Sequence, residues 1–322
     1  SNTTASNNTA VGYQAGYSNV AAGAQVFVGY KAGYATTTGG GSSTFVGYEA
    51  GLSNTTGGNN TALGRGSFLD NTTGSNNVGL GFDALANNTT ASNNTAVGYQ
   101  AVYTNTTGIA NVGLGAYALQ LNTTGNYNTA LGYNAGNAIT TGNYNIAIGA
   151  NALDVSTTAN SNIGIGINAL GSTTTGAENV AMGLNALLTN TTGASNVGIG
   201  TYALNSNTTA AANTAVGYQA LTTNTTGGDN AAFGYQAAQS NTTGDYLTAI
   251  GRQALYNNTT ADYNTAVGYR ALYANTTGYE NTFVGYIAGD SITTGVQNTG
   301  IGYNAGGAAT TGASNTYLGH GS

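Results

Sequence analysis

The side chains able to do chemistry are few and scattered. His320 is the only histidine and stands two residues from the end, so a Ser-His-Asp arrangement would rest on a frayed terminus. The ten carboxylates, Asp70, Asp83, Asp154, Asp229, Asp245, Asp262, Asp290, Glu49, Glu178 and Glu280, occupy several different positions of the repeat and form no continuous row. A calcium-binding β-roll needs several hard oxygens in every coil, so no metal is expected as a requirement of the fold. Gly-x-Gly fragments such as Gly113-Leu114-Gly115 resemble phosphate-binding loops but lack the following helix and the lysine. Neither catalysis nor a cofactor is expected.

One motif does recur. Asn-Thr-Thr begins at Asn2, Asn54, Asn71, Asn88, Asn105, Asn122, Asn190, Asn207, Asn224, Asn241, Asn258 and Asn275, and each is formally an N-glycosylation acceptor. The competing and preferred reading is a ladder of asparagines beside a turn. Glycans along one edge would still suit a secreted molecule.

Charge narrows the partners. Lys31, Arg65, Arg252 and Arg270 are the only basic side chains, and the net charge is −6. Neutralising phosphates requires clustered Lys and Arg, so nucleic acid is not an expected partner. No apolar run approaches the ~20 residues that span a bilayer, so this segment is not expected to insert in a membrane. The absence of cysteine is compatible with any redox compartment. Disorder is opposed by the composition, because 40% of the residues are hydrophobic and placed at fixed intervals.

Those intervals define the architecture. An apolar residue followed by glycine recurs at Gly12, Gly29, Gly47 and then every 17 residues to Gly319, the one 18-residue step being absorbed near Gly39-Gly40-Gly41. The residue before this anchor glycine is apolar in all 19 copies and is read as a core row. Alanine stands three residues after it in 17 copies, replaced by Ser67 and Ser322, and is read as a tight inward corner. Asparagine stands four residues before it in 16 copies, the exceptions being Gln25, Ser43 and Leu247. Identical residues at a fixed period stack above one another, so asparagines are expected to form hydrogen-bonded ladders and apolar side chains to form columns.

Within a copy such as Asn264-Thr265-Ala266-Val267 the alternation suits a short strand that places Thr265 and Val267 on one face. Asn275-Thr276-Thr277 is a second β-prone run, followed by a turn. Glycine, paired threonines and two asparagines in each copy disfavour helix. The expected fold is therefore all-β: a parallel β-solenoid, or β-roll, of about eighteen 17-residue coils with two short strands per coil. At about 4.8 Å per coil it would be a slender rod of roughly 86 Å. Leu204 and Gly289, four residues after the anchor glycine, and Tyr218, Tyr235 and Tyr269, directly after it, are expected to include side chains that face another chain. Residues 1–322 read as one continuous array, opening part-way through a repeat, and are expected to be a segment of a longer fibrous protein.

Asn145-Ile146-Ala147-Ile148-Gly149-Ala150-Asn151-Ala152 and Asn213-Thr214-Ala215-Val216-Gly217-Tyr218-Gln219-Ala220 resemble the head repeat of YadA-like trimeric autotransporter adhesins, and similar repeats occur in phage tail-fibre-like proteins. The resemblance implies a left-handed parallel β-roll, three chains side by side, on a cell or virion surface. The expected function is a structural or adhesive extracellular fibre, with a phage tail-fibre shaft or an ice-binding solenoid as alternatives. The expected partners are further copies of the chain, as a trimer or an end-to-end filament, and a host surface, matrix or glycans.

Overall fold

The computed structural model describes residues 4–38 and 41–322. Gly39, Gly40 and Asn2 lie outside the described residues. The described part is all-β and contains no helix. It divides into two compact units, Ser1–Ser161 and Asn162–Ser322. Each unit is a parallel β-solenoid. The first carries β1 (Thr9–Val11) to β9 (Ile146–Ile148), and each strand pairs in parallel with the next. The second carries β10 (Ile163–Ile165) to β19 (Thr316–Leu318), paired in the same way. Within these pairs equivalent residues of successive repeats stand side by side, as Thr214 does with Val197 and Ala231.

One strand of three residues forms per coil, where two were expected. The Asn-Thr-Thr run is a bend, because its donors converge instead of alternating. The N–H groups of Thr55 and Thr56 both point at the Thr72 carbonyl, and the Thr55 hydroxyl donates to it as well. A parallel strand pair would spread those donors over alternate carbonyls.

The anchor glycine is fixed by conformation and by its neighbour. Gly217 has φ +140°, and a β-carbon there would run into the carbonyl of Gly234 in the next coil. An L-residue meets both obstacles at once. The corner that follows is tight. Gln219 and Leu221 take φ +54° and +50°, and Ala220 between them is fully buried.

The core corrects two expectations. In the strands it is the middle residue that faces inward: Ala62, Ala96, Ala215 and Phe283 are fully buried. The residue before the anchor glycine instead points outward, with Leu63 51%, Leu131 46% and Ile301 48% exposed. Alternation of period two shows which residues share a face, without saying which face is the inner one. The interior of so thin a coil has room for one large side chain, and Leu204, expected as a lateral contact, supplies it at 0% exposure. Coils with leucine at that corner carry Ala or Gly in mid-strand, as Ala215 with Leu221 and Gly198 with Leu204. Coils with glycine at the corner carry a ring there in three cases, Phe27 with Gly33, Phe45 with Gly51 and Phe283 with Gly289. Gly136 is filled differently: a β-carbon there would lie 3.1 Å from Ile139 Cδ1 and from Leu119 Cδ2.

Candidate functional site

Two asparagine ladders run through the interior and meet at a shared acceptor. In the row that precedes the strands, Asn60 Oδ1 accepts the N–H of Asn77 in the next coil at 2.9 Å, and Asn60 Nδ2 donates to the Gly74 carbonyl at 2.8 Å. In the Asn-Thr-Thr row, Asn71 Nδ2 donates to Asn54 Oδ1 and also to the Gly74 carbonyl. Both lone pairs of that carbonyl are therefore used, and the arrangement repeats from coil to coil.

This places the candidate glycosylation residues. Asn54, Asn71, Asn88, Asn105, Asn122, Asn190, Asn207, Asn224, Asn241, Asn258 and Asn275 are all fully buried. In Asn88, Asn224 and Asn258, among others, both Nδ2 hydrogens are committed, one to the previous coil's asparagine and one to the carbonyl three residues on. A glycan would replace one of those hydrogens and need a path through the packed coil. The folded stack offers none.

The Asn-Thr-Thr ladder has ends. Ile139 and Ile292 replace the asparagine that would follow Asn122 and Asn275, and the Oδ1 atoms of Asn122 and Asn275 are buried without a partner. Ser156 and Thr173 hold the same position with hydroxyls too short to reach across, and those are unpartnered too.

The outer surface carries the groups available to a partner. The second threonine of each pair, such as Thr56, Thr226 and Thr243, is exposed, while the hydroxyl of the first is spent on the next coil's carbonyl. The outward strand face presents Thr, Val or Ile, or Ala231 once, three residues before the anchor glycine and an apolar residue directly before it. Directly after the glycine runs an aromatic row, interrupted by Ala116 and again from Ala150 to Thr201. Tyr218 stacks on Tyr235 at 5.3 Å, Tyr269 on Tyr286 at 5.0 Å, Tyr286 on Tyr303 at 5.4 Å, and Tyr303 on His320 at 4.6 Å.

Every basic residue of the chain lies on an aromatic ring, a feature the sequence reading missed. Arg252 fits between Tyr235 and Tyr269 at 5.3 and 6.0 Å, and Arg65 between Tyr48 and Phe82 at 5.8 and 5.3 Å. Lys31 lies on Tyr30 and Tyr34, and Arg270 on Tyr273 at 4.0 Å. A planar guanidinium can take the place of a missing ring in a stack. The signal was present, since Arg65 and Arg252 occupy the repeat position where neighbouring coils carry Tyr or Phe.

Burial raises the carboxyl of Asp83 above its ordinary range, opposed by the charge of Arg65 and a hydrogen bond from Gln100. Burial likewise raises Asp154, opposed by a backbone hydrogen bond. Among the described residues no group of three or more His, Cys, Asp or Glu is placed to hold a metal, there is no pocket, and no helix is long and apolar enough to cross a membrane. The geometry available is a surface repeated coil by coil. No protein-family model matches the chain, and no curated protein matches it.

Proposed function

We propose that the chain is a structural and adhesive segment of an extracellular fibre, displayed on a cell or virion surface. The observation that carries this reading is repetition outside as well as inside. Each coil offers the same kinds of outward group at the same places, so a weak contact made by one coil is available to its neighbours, and linked weak contacts add up to strong attachment. The similarity to YadA-like head repeats supports the same reading. The reading assigns no catalytic step, and His320 is exposed and stacked on Tyr303.

The test is adhesion under flow. Beads coated with the chain should hold to cells, extracellular matrix or polysaccharide under shear that removes beads coated with an inert protein. Equal detachment of the two would remove the adhesive part of the reading. Antibody labelling of intact source cells or virions tests the placement.

The exposed threonine row favours one second reading, an ice-binding surface, because it repeats a hydroxyl and a methyl at one-coil intervals. Thermal hysteresis in a freezing assay would select it, and ordinary freezing would eliminate it.

A further inference from the structure

We propose that the outward strand face, together with the aromatic row beside it, is the surface on which a second copy of this chain docks. The proposal deepens the reading of the chain as a fibre segment. It departs from the sequence-based choice of contact residues, since the leucine column is interior.

The first argument is composition. Across the copies, the positions three before and one before the anchor glycine hold only Thr, Val, Ile, Leu, Ala, Met and Phe, with no charged residue. All ten carboxylates stand at other positions of the repeat, so two such faces can meet without burying a carboxylate, although each copy carries a net charge of −6. The arginines of the aromatic row are already seated between rings.

The second argument is extent. A half-exposed tyrosine leaves on the order of 100 Å² available, and a half-exposed aliphatic about 50 Å². Summed over the exposed members in the first unit, Val11, Leu63 and Leu131 with five tyrosines, the two rows come to roughly 650 Å². That approaches the ~800 Å² that each partner contributes to a standard interface, and exceeds the few hundred Å² of apolar patch usual on a monomer.

The third argument selects the occupant. The face is a set of parallel columns rising about 4.8 Å per coil. A partner of unrelated fold would meet only the coils under its footprint, whereas a second copy has the same rise and opposes coil to coil. Identical columns then interdigitate as in paired cross-β sheets. The aromatic rings that are neighbours in the row lie face to face at 5.0 to 5.5 Å, so they offer edges outward. Edges suit packing between chains better than the stacking of sugar rings.

The test uses the full chain and three proteins: wild type, Val216→Lys with Ile250→Lys and Val284→Lys, and a control with Thr226→Lys, Thr243→Lys and Thr260→Lys. Both variants gain the same charge, one on the strand face and one on the threonine row. In sedimentation velocity at micromolar concentration, wild type and control should run as a multiple of 31.8 kDa, and the strand-face variant at 31.8 kDa with an unchanged β-type circular dichroism spectrum. A wild-type monomer, a strand-face variant as associated as wild type, or a control that dissociates equally would each overturn the proposal. Should the lysines unfold the chain, the triple Val216→Thr, Ile250→Thr, Val284→Thr replaces them. It should weaken association at least tenfold, and undiminished association would overturn the proposal. Adhesion by a monomeric chain would leave the fibre reading standing without this contact. Association without adhesion would do the reverse.

Discussion

In the coil of β17 (Thr282–Val284), the ring of Phe283 covers Gly289 so closely that a β-carbon on the glycine would stand 2.6 Å from Cδ1. In the preceding coil the same volume is filled from the other side, by Leu272 over Ala266, both fully buried. In these two coils the interior holds one large side chain, contributed by the strand in one and by the corner in the other.

A double-mutant cycle follows. Phe283→Ala should cost about 3–5 kcal/mol by leaving a cavity. Gly289→Leu should cost about 1–3 kcal/mol or more by overfilling. The pair together recreates the Ala266 and Leu272 arrangement and should be more stable than Phe283→Ala alone, as read from thermal or denaturant unfolding. Additive losses would contradict a shared volume.

The asparagine ladder predicts a sharp contrast between two neighbours. Asn224→Ala removes the donor to Asn207 Oδ1 and to the Gly227 carbonyl and the acceptor for Asn241 Nδ2, all buried. Each group left unsatisfied costs about 1–3 kcal/mol, so the loss should be several kcal/mol. Thr226→Ala, on the exposed row, should stay within about 0.5 kcal/mol of wild type. Urea unfolding compares them, and equal effects would contradict the ladder.

At the anchor position the same substitution should differ along the chain. Gly217→Ala meets an unfavourable φ and the Gly234 carbonyl, whereas a β-carbon at Gly319 has nothing within 4 Å. Gly217→Ala should lower the melting temperature far more than Gly319→Ala. Equal shifts would mean that the contact between coils is not what selects glycine.

The raised carboxyl of Asp154 gives a pH dependence of definite sign. Its folded pKa lies above the ordinary value of 3.8, so the folded chain holds the proton more tightly than the unfolded chain. Its contribution to stability therefore falls as pH rises through that window, and is most favourable below the unfolded pKa. Asp154→Asn should be more stable than wild type at neutral pH, with the advantage shrinking as the acid is protonated. A constant difference in melting temperature from pH 3 to pH 7 would contradict the assignment.

Much of this was legible in the repeat, and the rest was lost for identifiable reasons. The period, the strand around Ala266, the asparagine ladders and the inward Ala220 all follow from position-by-position comparison of copies, because a stack constrains every rung alike. The direction of the strand does not follow. Val216 looked like core because it is apolar in every copy, yet Ala215 lies inside, since a thin coil admits only small groups or one ring in mid-strand. The bend at Thr225-Thr226 resembled a strand in composition, and only its converging hydrogen bonds distinguish it.

The inside and outside of the strand can be tested directly by placing a charge at adjacent residues of β13 (Thr214–Val216). Ala215→Lys and Val216→Lys are compared by circular dichroism and thermal melting of the full chain. A lysine at Ala215 must lose its charge or open the coil, so that variant should lose its cooperative transition. A lysine at Val216 projects from the surface and should keep the β spectrum and a melting temperature within a few degrees of wild type. Unfolding by Val216→Lys with tolerance of Ala215→Lys would contradict the account.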